Sequence, residues 1–475
     1  MRDYKYILFF NEIGINAINE VGGKNASLGE MYNQLNPIGI QIPNGFAITA
    51  EGYRLFRKEN QLEKVLNDLF HSLDTEHFAN LSYIGTTARE RILSARIPQI
   101  IESEIKKAYH ALNQQCGLTS LNVAVRSSAT SEDLPSASFA GQMQSFLNIS
   151  GEDQLIDAVH HCFVSLFTDR VIKYRYDMGF QDLDIAISVG IQQMVRSDQS
   201  ASGVAFTIDP DTGFENTIII NGIWGLGENI VQGTVTPDEW MVFKPTLENE
   251  KWNPILKKHC GKKEFTMIYN EIEKEISATN TIINTTTSLE NQNRFSLSDT
   301  EVIQLARWCY SIEKHYKKAM DIEWAKDGTN NQLYIVQARP ETIHNKPHSQ
   351  VRKMYTLLEK GSTLCKGIAL GDKITSGKAR IVNNAQEGHL VQEGEIIVTD
   401  LTNPDWDPIM KKAAAIVTNK GGRTSHAAIV ARELDTVAVV GCGDATATIK
   451  NGQEITVSCA EGKEGVIYNG TLRWK

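Results

Sequence analysis

His426 stands in a segment whose composition suits phosphate chemistry. It follows a glycine pair, which allows a tight backbone and the close approach of a ligand. Residues 427–434 have the pattern of a short helix, which the hydroxyl of Thr424 or Ser425 could cap. Free amides and the positive dipole at a helix start attract phosphate, and the same field favours a neutral, nucleophilic imidazole. The alternative is a histidine that only caps a helix, and the segment alone leaves both interpretations open.

Lys24 is a second candidate for a phosphate contact. It follows another glycine pair at a predicted helix start, where a lysine supplies a point charge to a phosphate. The segment is not a P-loop, because the pattern G-x-x-x-x-G-K-[ST] occurs nowhere in this sequence. A solvated surface lysine is the alternative.

Arg126 ends an apolar run and opens a long segment of small and hydroxyl-bearing residues, 127–141. Such a segment could close over phosphates with its amides and hydroxyls as donors, while Arg126 clamps an oxyanion. The alternative is an ordinary solvent-exposed loop. A basic residue at a strand end favours the first interpretation, a phosphate lid.

A predicted hairpin over residues 320–340 carries a polar face that could hold a metal ion. A strong turn signal lies near its middle, and symmetry about residue 330 would place Glu323 opposite Gln337 and Asp321 opposite Arg339. Because side chains alternate along a strand, these four would share one face, with apolar residues on the other. The oxygen ligands suit Mg²⁺ and the arginine suits a phosphate. An exposed face of paired charges remains the alternative.

The composition excludes several other classes of protein. A chain of 475 residues should hold two to four domains, and its net charge of -9 argues against a general nucleic-acid binder. The seven cysteines lack the spacing of a zinc site and suggest a reducing compartment. No segment has the pattern of a signal peptide or a membrane span, so we expect a cytoplasmic protein without a membrane partner.

Hydrophobic periodicity divides the chain into a long mixed region and a compact final region. Residues 53–118 have a mostly helical pattern, and residues 279–298, rich in Asn, Thr and Ser, suggest a surface loop or hairpin tip. Residues 343–360 look like a linker whose second half is charged and helix-like. Besides a helix at 24–35, we predict strands at 46–49, 123–126, 186–193, 203–208, 217–221, 378–382, 395–399, 415–418, 437–440 and 454–457.

Taken together, the motifs resemble those of the phosphoenolpyruvate synthases (pyruvate, water dikinases), and more broadly of the dikinases that relay phosphate through a histidine. The match runs in order over residues 21–31, 123–148, 224–240, 321–342 and 399–444. The resemblance implies an α+β fold, with an ATP-grasp nucleotide-binding region at 1–342. The linker at 343–360 would lead to a swivelling β/β/α phosphohistidine domain at 361–475.

The resemblance also implies a role for each candidate residue. The residues that would bind ATP are Lys24, Arg126 and Arg339 at the phosphates, with Gln193 and Val195 at the adenine. The residues that would hold Mg²⁺ are Glu323 and Gln337, with Asp321 nearby. His426 would be the phosphorylated nucleophile, and Thr424 matches the position at which a regulatory kinase silences members of the family. A phosphate at Thr424 would place like charges together beside His426.

The reaction that the resemblance implies is gluconeogenic: pyruvate, ATP and water give phosphoenolpyruvate, AMP and phosphate. The family continues into a large barrel that binds pyruvate, whereas this sequence ends at Trp474 and Lys475. We therefore expect the acceptor barrel on a separate polypeptide, or a truncated enzyme. Two alternatives remain: a phosphotransferase of the same type with another acceptor, such as an antibiotic or a carrier protein, and a non-catalytic ATP-binding remnant. The direct junction of the two regions favours the synthase.

Overall fold

The computed structural model describes residues 4–76, 78–130, 145–177, 179, 185–249, 251–270, 281–341, 354–359, 361–423 and 425–475. Most of the predicted phosphate lid at 127–141, most of the predicted linker and Thr424 lie outside the described residues. The chain forms two compact units. Unit 1 comprises Met1–Arg196, Ile268–Ile283 and Gln332–Arg339, and unit 2 comprises Ser197–Met267, Asn284–Asn331 and Pro340–Lys475. These units do not test the predicted domain boundaries at residues 342 and 361, which stay predictions.

The helices and strands are numbered separately in chain order. The helices are α1 Ile18–Leu35, α2 Ala50–Glu59, α3 Leu62–His71, α4 Leu81–Leu93, α5 Gln99–Gln115, α6 Glu152–Ser165, α7 Asp169–Asp177, α8 Glu228–Val231, α9 Leu289–Gln292, α10 Asp299–Tyr316, α11 Asp407–Met410, α12 His426–Glu433 and α13 Ala445–Thr448. The strands are β1 Ile7–Phe9, β2 Gly45–Ile48, β3 Val123–Ala129, β4 Ser145–Ile149, β5 Ile187–Gln193, β6 Ala201–Phe206, β7 Thr217–Trp224, β8 Asp238–Phe243, β9 Ile255–His259, β10 Phe265–Tyr269, β11 Ile282–Thr286, β12 Met320–Lys326, β13 Leu333–Pro340, β14 Thr363–Leu370, β15 Ile374–Ile381, β16 Ile396–Thr399, β17 Ala415–Thr418, β18 Val437–Val440, β19 Glu454–Ser458 and β20 Glu464–Asn469.

Unit 1 is built on a five-stranded sheet of order β1-β2-β5-β3-β4. The central strand β5 pairs antiparallel with β2 and β3, so that Ile191 lies between Phe46 and Val125. All of β5 except its last residue is buried, which explains its nearly unbroken apolar sequence. Helices pack on this sheet around a core that includes the aromatic rings of Tyr53 and Phe163, whose centroids are 5.1 Å apart.

In unit 2, strands of a second sheet have the order β12-β6-β7-β8-β9. Within unit 2, β12 pairs antiparallel with β6, and Trp324 is 1% exposed beside the sheet. Helix α10 begins with a capping box in which Ser298 and Glu301 exchange hydrogen bonds with each other's backbone amides. The described helices include none that is long and apolar enough to cross a membrane.

The remaining strands of unit 2 form a closed barrel in the order β14-β18-β17-β16-β15-β19-β20. The strands from β15 through β16 and β17 to β18 are parallel, and the other pairs are antiparallel. Because side chains alternate, Val417 belongs to one apolar cluster and its neighbour Ile416 to another, which also contains Ala428 of α12. The five strands predicted here are present, but the sequence analysis missed β14 and β20 and did not anticipate closure.

Two predictions of irregular or helical structure were wrong. Within residues 279–298, the described part contains β11, which pairs with β10, and the short helix α9. The Ile and Thr residues of β11 are β-branched and favour a strand despite the polar composition. In the predicted linker, residues 354–359 are not helical, and Leu357 pairs antiparallel with Trp474.

Candidate functional site

The stretch of α1 from its kink at Gly22 to Asn25, called here the start of α1, carries Lys24 and packs directly on the sheet of unit 1. Gly22 interrupts the helical backbone with φ +74°, and a Cβ there would lie 2.5 Å from the carbonyl oxygen of Ser128. The next turn is fixed by Asn25, whose side-chain amide donates to Ser188 Oγ over 3.0 Å. Lys24 itself is half-buried. Only glycine fits the left-handed, crowded position 22, so Gly22 serves close packing in this segment.

Arg126 lies close to this helix start. It is half-buried on β3, opposite Gly190 of β5. A Cβ at Gly190 would lie 2.2 Å from Asn25 Oδ1, so the helix turn that carries Lys24 rests on the residue paired with Arg126. The structure therefore brings the segments of both predicted phosphate ligands together within unit 1.

The part of β13 that belongs to unit 1 comes to the same helix. Ser27 Oγ donates to the carbonyl oxygen of Ala338 over 2.7 Å, between Gln337 and Arg339. Gln337 is 4% exposed, and no described donor lies within hydrogen-bond distance of its side-chain oxygen Oε1. A buried oxygen without a donor is costly unless a ligand satisfies it, and a bound cation would do so.

The predicted adenine contact lies at the end of β5. The backbone amides of Gln193 and Met194 donate to the carbonyl oxygens of Asn44 and Asn122, respectively. Val195 is 5% exposed. These two amides are engaged within unit 1, so they would have to exchange partners before they could bind a purine edge.

Asp321 and Glu323 lie on β12 in unit 2. Both are half-buried, and they alternate with the buried apolar residues Ile322 and Trp324, as a half-buried strand requires. Their partners on β6 are Phe206 for Asp321 and Val204 for Glu323. Among the described residues, no group of three His, Cys, Asp or Glu side chains could hold a metal ion. A cation at these carboxylates would therefore need further ligands, such as an amide oxygen or phosphate oxygens.

His426 lies at the carboxyl edge of the parallel strands of the barrel. Thr399 and Thr418, which end β16 and β17, are partners in the parallel register, so the segments that follow them leave the same edge. Those segments enclose the imidazole. Thr402 Oγ1 is 2.9 Å from Nδ1 of His426, and Asp407 Oδ1 is 2.9 Å from Nε2. Only 11% of the His426 side chain is exposed.

The start of α12 differs from the predicted cap. His426 is the first residue of the helix, and Ser425 is the N-cap but makes no side-chain cap bond. Its hydroxyl instead donates back to the carbonyl oxygen of Gly422 over 2.9 Å. The prediction that Ser425 caps the helix was wrong, because the turn before the helix uses the hydroxyl. Thr424, the other predicted cap and the candidate regulatory position, lies outside the described residues.

Charged groups link the segment around His426 to Asp211, which lies in the turn after β6. Asp211 accepts from Nε of Arg432 over 3.0 Å and from its Nη2 over 2.6 Å, and it also pairs with Arg423. Arg432 Nη1 donates to the carbonyl oxygen of Arg423 over 2.7 Å. Burial lowers the pKa of Arg432 to about 10. The two arginines that flank His426 thus share one buried carboxylate.

The glycine-rich stretch at 224–233 also packs on the histidine segment. A Cβ at Gly233, where φ is +70°, would lie 2.5 Å from Cβ of Ser425. A buried ion pair lies at the start of β8, the strand that follows this stretch. Lys263 Nζ is 2.5 Å from Asp238 Oδ1, and both side chains are 0% exposed. Neighbouring backbone amides also donate to the carboxylate of Asp238. Gly233 in this stretch therefore marks a close backbone approach.

The sequence did not indicate Thr402 and Asp407, which contact the imidazole, or Asp211, which pairs with Arg423 and Arg432 on either side of His426. A usable signal was present for the first two. Segments that follow neighbouring parallel strands meet at one edge of the sheet, and the polar segment 400–407 follows β16. Asp211 lies 221 residues before Arg432, and no local pattern connects them.

Comparison with known proteins agrees with this arrangement. The family described as "Pyruvate phosphate dikinase, AMP/ATP-binding domain" matches residues 18–359, and the family described as "PEP-utilising enzyme, mobile domain" matches residues 391–462. The chain is 48% identical over 480 residues to the phosphoenolpyruvate synthase of Aquifex aeolicus, covering 99% of this chain and 55% of that protein. It is 47% identical over 468 residues to that of Neisseria meningitidis, covering 98% and 58%, respectively.

A more distant relative is the probable phosphoenolpyruvate synthase of Pyrococcus horikoshii, which is 38% identical over 503 residues, covering 99% of this chain and 59% of that protein. The chain spans somewhat more than half the length of these curated relatives. The dikinase match alone covers most of the 475 residues. The chain therefore belongs to the pyruvate phosphate dikinase AMP/ATP-binding domain family.

Proposed function

We propose that this chain binds ATP through unit 1 and transfers phosphate from it to His426, as the donor half of a phosphoenolpyruvate synthase reaction. The observation that carries the proposal is the convergence at the start of α1. The segments that carry Lys24, Arg126 and Gln337 contact one another there; both basic residues are half-buried, and among the described residues no donor lies within hydrogen-bond distance of the buried Oε1 of Gln337. Cations around one space are what a polyphosphate requires.

In this proposal Lys24, Arg126 and Arg339 bind the phosphates, and Gln193 and Val195 lie at the adenine. Glu323 and Gln337, with Asp321 nearby, would hold Mg²⁺, which neutralises phosphate charge when bound. The buried Oε1 of Gln337 and the oxygen-rich donor set fit that ion. The ATP-grasp fold and the swivelling motion implied by the resemblance, and the predicted division at 342 and 361, belong to the same proposal.

The chemical step is an in-line displacement. A ring nitrogen of His426 forms a bond to the β-phosphorus, the bond from that phosphorus to the bridging oxygen breaks, and AMP leaves with the electron pair. Water then removes the terminal phosphate, and the phosphate that remains on His426 passes to pyruvate. Segments beyond these 475 residues, on the same or another polypeptide, would supply the pyruvate site. A regulatory kinase acting at Thr424 also remains a proposal.

Labelled ATP tests the proposal. The protein is incubated with ATP carrying ³²P at the β position or, separately, at the γ position. We expect the β label to stay on the wild-type protein while AMP appears, the γ label to leave as phosphate, and neither to bind His426→Ala. The variant should still bind ATP with the wild-type Kd. A protein that binds ATP but takes no label would contradict the transfer and leave the remnant interpretation.

A further inference from the structure

Both ring nitrogens of His426 have a polar partner. Thr402 Oγ1 lies 2.9 Å from Nδ1, and Asp407 Oδ1 lies 2.9 Å from Nε2. Asp407 is the first residue of the short helix α11, and 27% of its side chain is exposed. A ring nitrogen can attack only through its lone pair in the ring plane, which is also the direction of these contacts. Neither nitrogen is therefore available in this arrangement.

The chemistry of the two partners assigns the proton on the ring. An ionised carboxylate can only accept, so Nε2 must carry a proton and donate it to Asp407. A hydroxyl can donate or accept, so Thr402 can donate to the lone pair that a neutral ring then has on Nδ1. The bond to the carboxylate is the stronger of the two, because a charged acceptor roughly doubles the strength of a hydrogen bond. Asp407 thus decides which tautomer is present.

We propose that Asp407 is a positioning residue that holds His426 in the tautomer with its proton on Nε2, and so keeps Nε2 unreactive until this contact opens. When the carboxylate withdraws, the proton can reside on Nδ1 and be donated to Thr402. The lone pair of Nε2 is then free to bond to phosphorus. The contact therefore keeps Nε2 from reacting with small electrophiles. This inference rests on the proposed function for its biological meaning, but its central prediction concerns the reactivity of the ring alone.

Asp400 provides a matched control. It lies in the segment that also contains Thr402 and Asp407, and it too contacts the segment before His426. Its carboxylate accepts from Lys420 Nζ over 2.8 Å and from the side-chain amide of Asn419 over 3.1 Å. Asp400→Ala therefore removes an acidic side chain and a link between the same two segments, without touching the imidazole. Asp407→Asn serves as the conservative variant, since it keeps the shape and weakens the acceptor.

The test measures the reaction of His426 with diethyl pyrocarbonate, which attacks an unprotonated ring nitrogen, by peptide mass spectrometry of the full chain. We expect the rate to rise about tenfold or more in Asp407→Ala and by a smaller factor in Asp407→Asn, with Asp400→Ala at the wild-type rate. Imidazole ¹⁵N shifts should report a proton on Nε2 in the wild type and a shift towards Nδ1 in Asp407→Ala. Equal reactivity in all four proteins, or a wild-type proton on Nδ1, would overturn the inference.

Labelled ATP then separates this inference from the proposed function. In Asp407→Ala we expect label on His426 at the wild-type rate or faster, because the variant lacks the carboxylate that restrains Nε2. Slower labelling in this variant, with the wild type labelled normally, would overturn the positioning role and make Asp407 a group that the transfer needs. Failure of the wild type to take label would contradict the proposed function, while the result with diethyl pyrocarbonate would still decide the role of Asp407.

Discussion

Two helical segments that follow glycines carry the residues proposed for phosphate chemistry, one after the kink at Gly22 within α1 and one beginning at His426, yet they are held in different ways. The start of α1 is fixed by neutral contacts, in which Gly22 packs against Ser128 and Asn25 donates to Ser188. The start of α12 is held by charge, because the arginines on either side of His426 share Asp211. Close packing fixes a position with little freedom, whereas a buried ion pair gives little net stability and depends on both partners.

The difference suits the two proposed tasks. A site that binds a nucleotide gains from a fixed arrangement, because ordering it at the moment of binding would cost affinity. A residue that receives phosphate and passes it on must change partners, and polar contacts can be exchanged where interlocked packing cannot. Substitutions that break each kind of contact test this difference, and the largest effect is expected for the packed contact.

Gly22→Ala should break the packed start of α1. The new Cβ would meet the backbone of Ser128, and alanine disfavours a φ of +74°. Overpacking and backbone strain together should lower the free energy of unfolding by about 4 kcal/mol. Gly39→Ala is the control, because φ there is +91° but nothing lies within 4 Å, and it should cost about 1 kcal/mol. Urea unfolding of both variants makes the comparison, and equal losses would show that packing at position 22 contributes nothing.

Asp211→Asn should break the charged contact of α12. The variant leaves Arg432, whose side chain is 7% exposed, without an anionic partner at that position. Removing one partner of a buried pair should lower the free energy of unfolding by about 3 kcal/mol. The exposed pair of Asp299 with Lys258 is the control, and Asp299→Asn should cost less than about 1 kcal/mol. A loss in Asp211→Asn no greater than in the control would mean that the arginines find other partners.

Gly233→Ala should separate binding from transfer. A Cβ there would push against Ser425, beside His426, while unit 1 is untouched. We expect ATP to bind with the wild-type Kd and label to reach His426 about tenfold or more slowly, since each 1.36 kcal/mol of barrier is tenfold in rate. Gly394→Ala, at φ +80° with nothing within 4 Å, should label normally. Normal labelling of Gly233→Ala would mean that the close approach has no part in transfer.

The smallest expected effect is on the pH dependence of the free energy of unfolding, through His160 in unit 1. Burial lowers the pKa of His160 below its ordinary value of 6.5, so the folded protein binds that proton less readily than the unfolded chain. The stability due to neutral His160 is therefore complete above pH 6.5 and is lost as the pH falls through the lower folded pKa. His160→Gln should unfold with a flatter pH dependence below 6.5. Identical slopes for the variant and the wild type would contradict the shift.

Strongly periodic elements could be predicted from the sequence, and long-range contacts could not. The apolar run of β5 and the alternation in β12 correctly indicated strands, because burial on one or both faces leaves a direct pattern. Closure of the barrel depends on β14 and β20, whose mixed polar sequences carry little periodicity. Ser425 does not cap α12 with its side chain, because a hydroxyl has several possible partners. Its hydrogen bond to the carbonyl oxygen of Gly422 was locally as plausible as a cap.

The residues of the candidate site also fall into two groups, those that could be named from the sequence and those that could not. Lys24, Arg126 and His426 could be named as candidates because a basic side chain or an imidazole next to glycines or small, hydroxyl-bearing residues is a local pattern that the sequence shows directly. Thr402 and Asp407, which contact the imidazole, lie about 20 residues away in sequence and reach it only through the parallel pairing of β16 with β17. The residues proposed to act by chemistry could be named from the sequence, whereas the residues that contact the imidazole could be found only from the fold.

The most direct test of the central claim is to map the phosphate. The wild-type protein is incubated briefly with ATP and Mg²⁺, digested at alkaline pH to preserve phosphohistidine, and sequenced by tandem mass spectrometry. The account predicts one phosphate on the peptide that contains His426, located on the histidine and absent without ATP. Phosphate on another residue, or a fully unmodified His426 peptide from protein that has bound ATP, would contradict it.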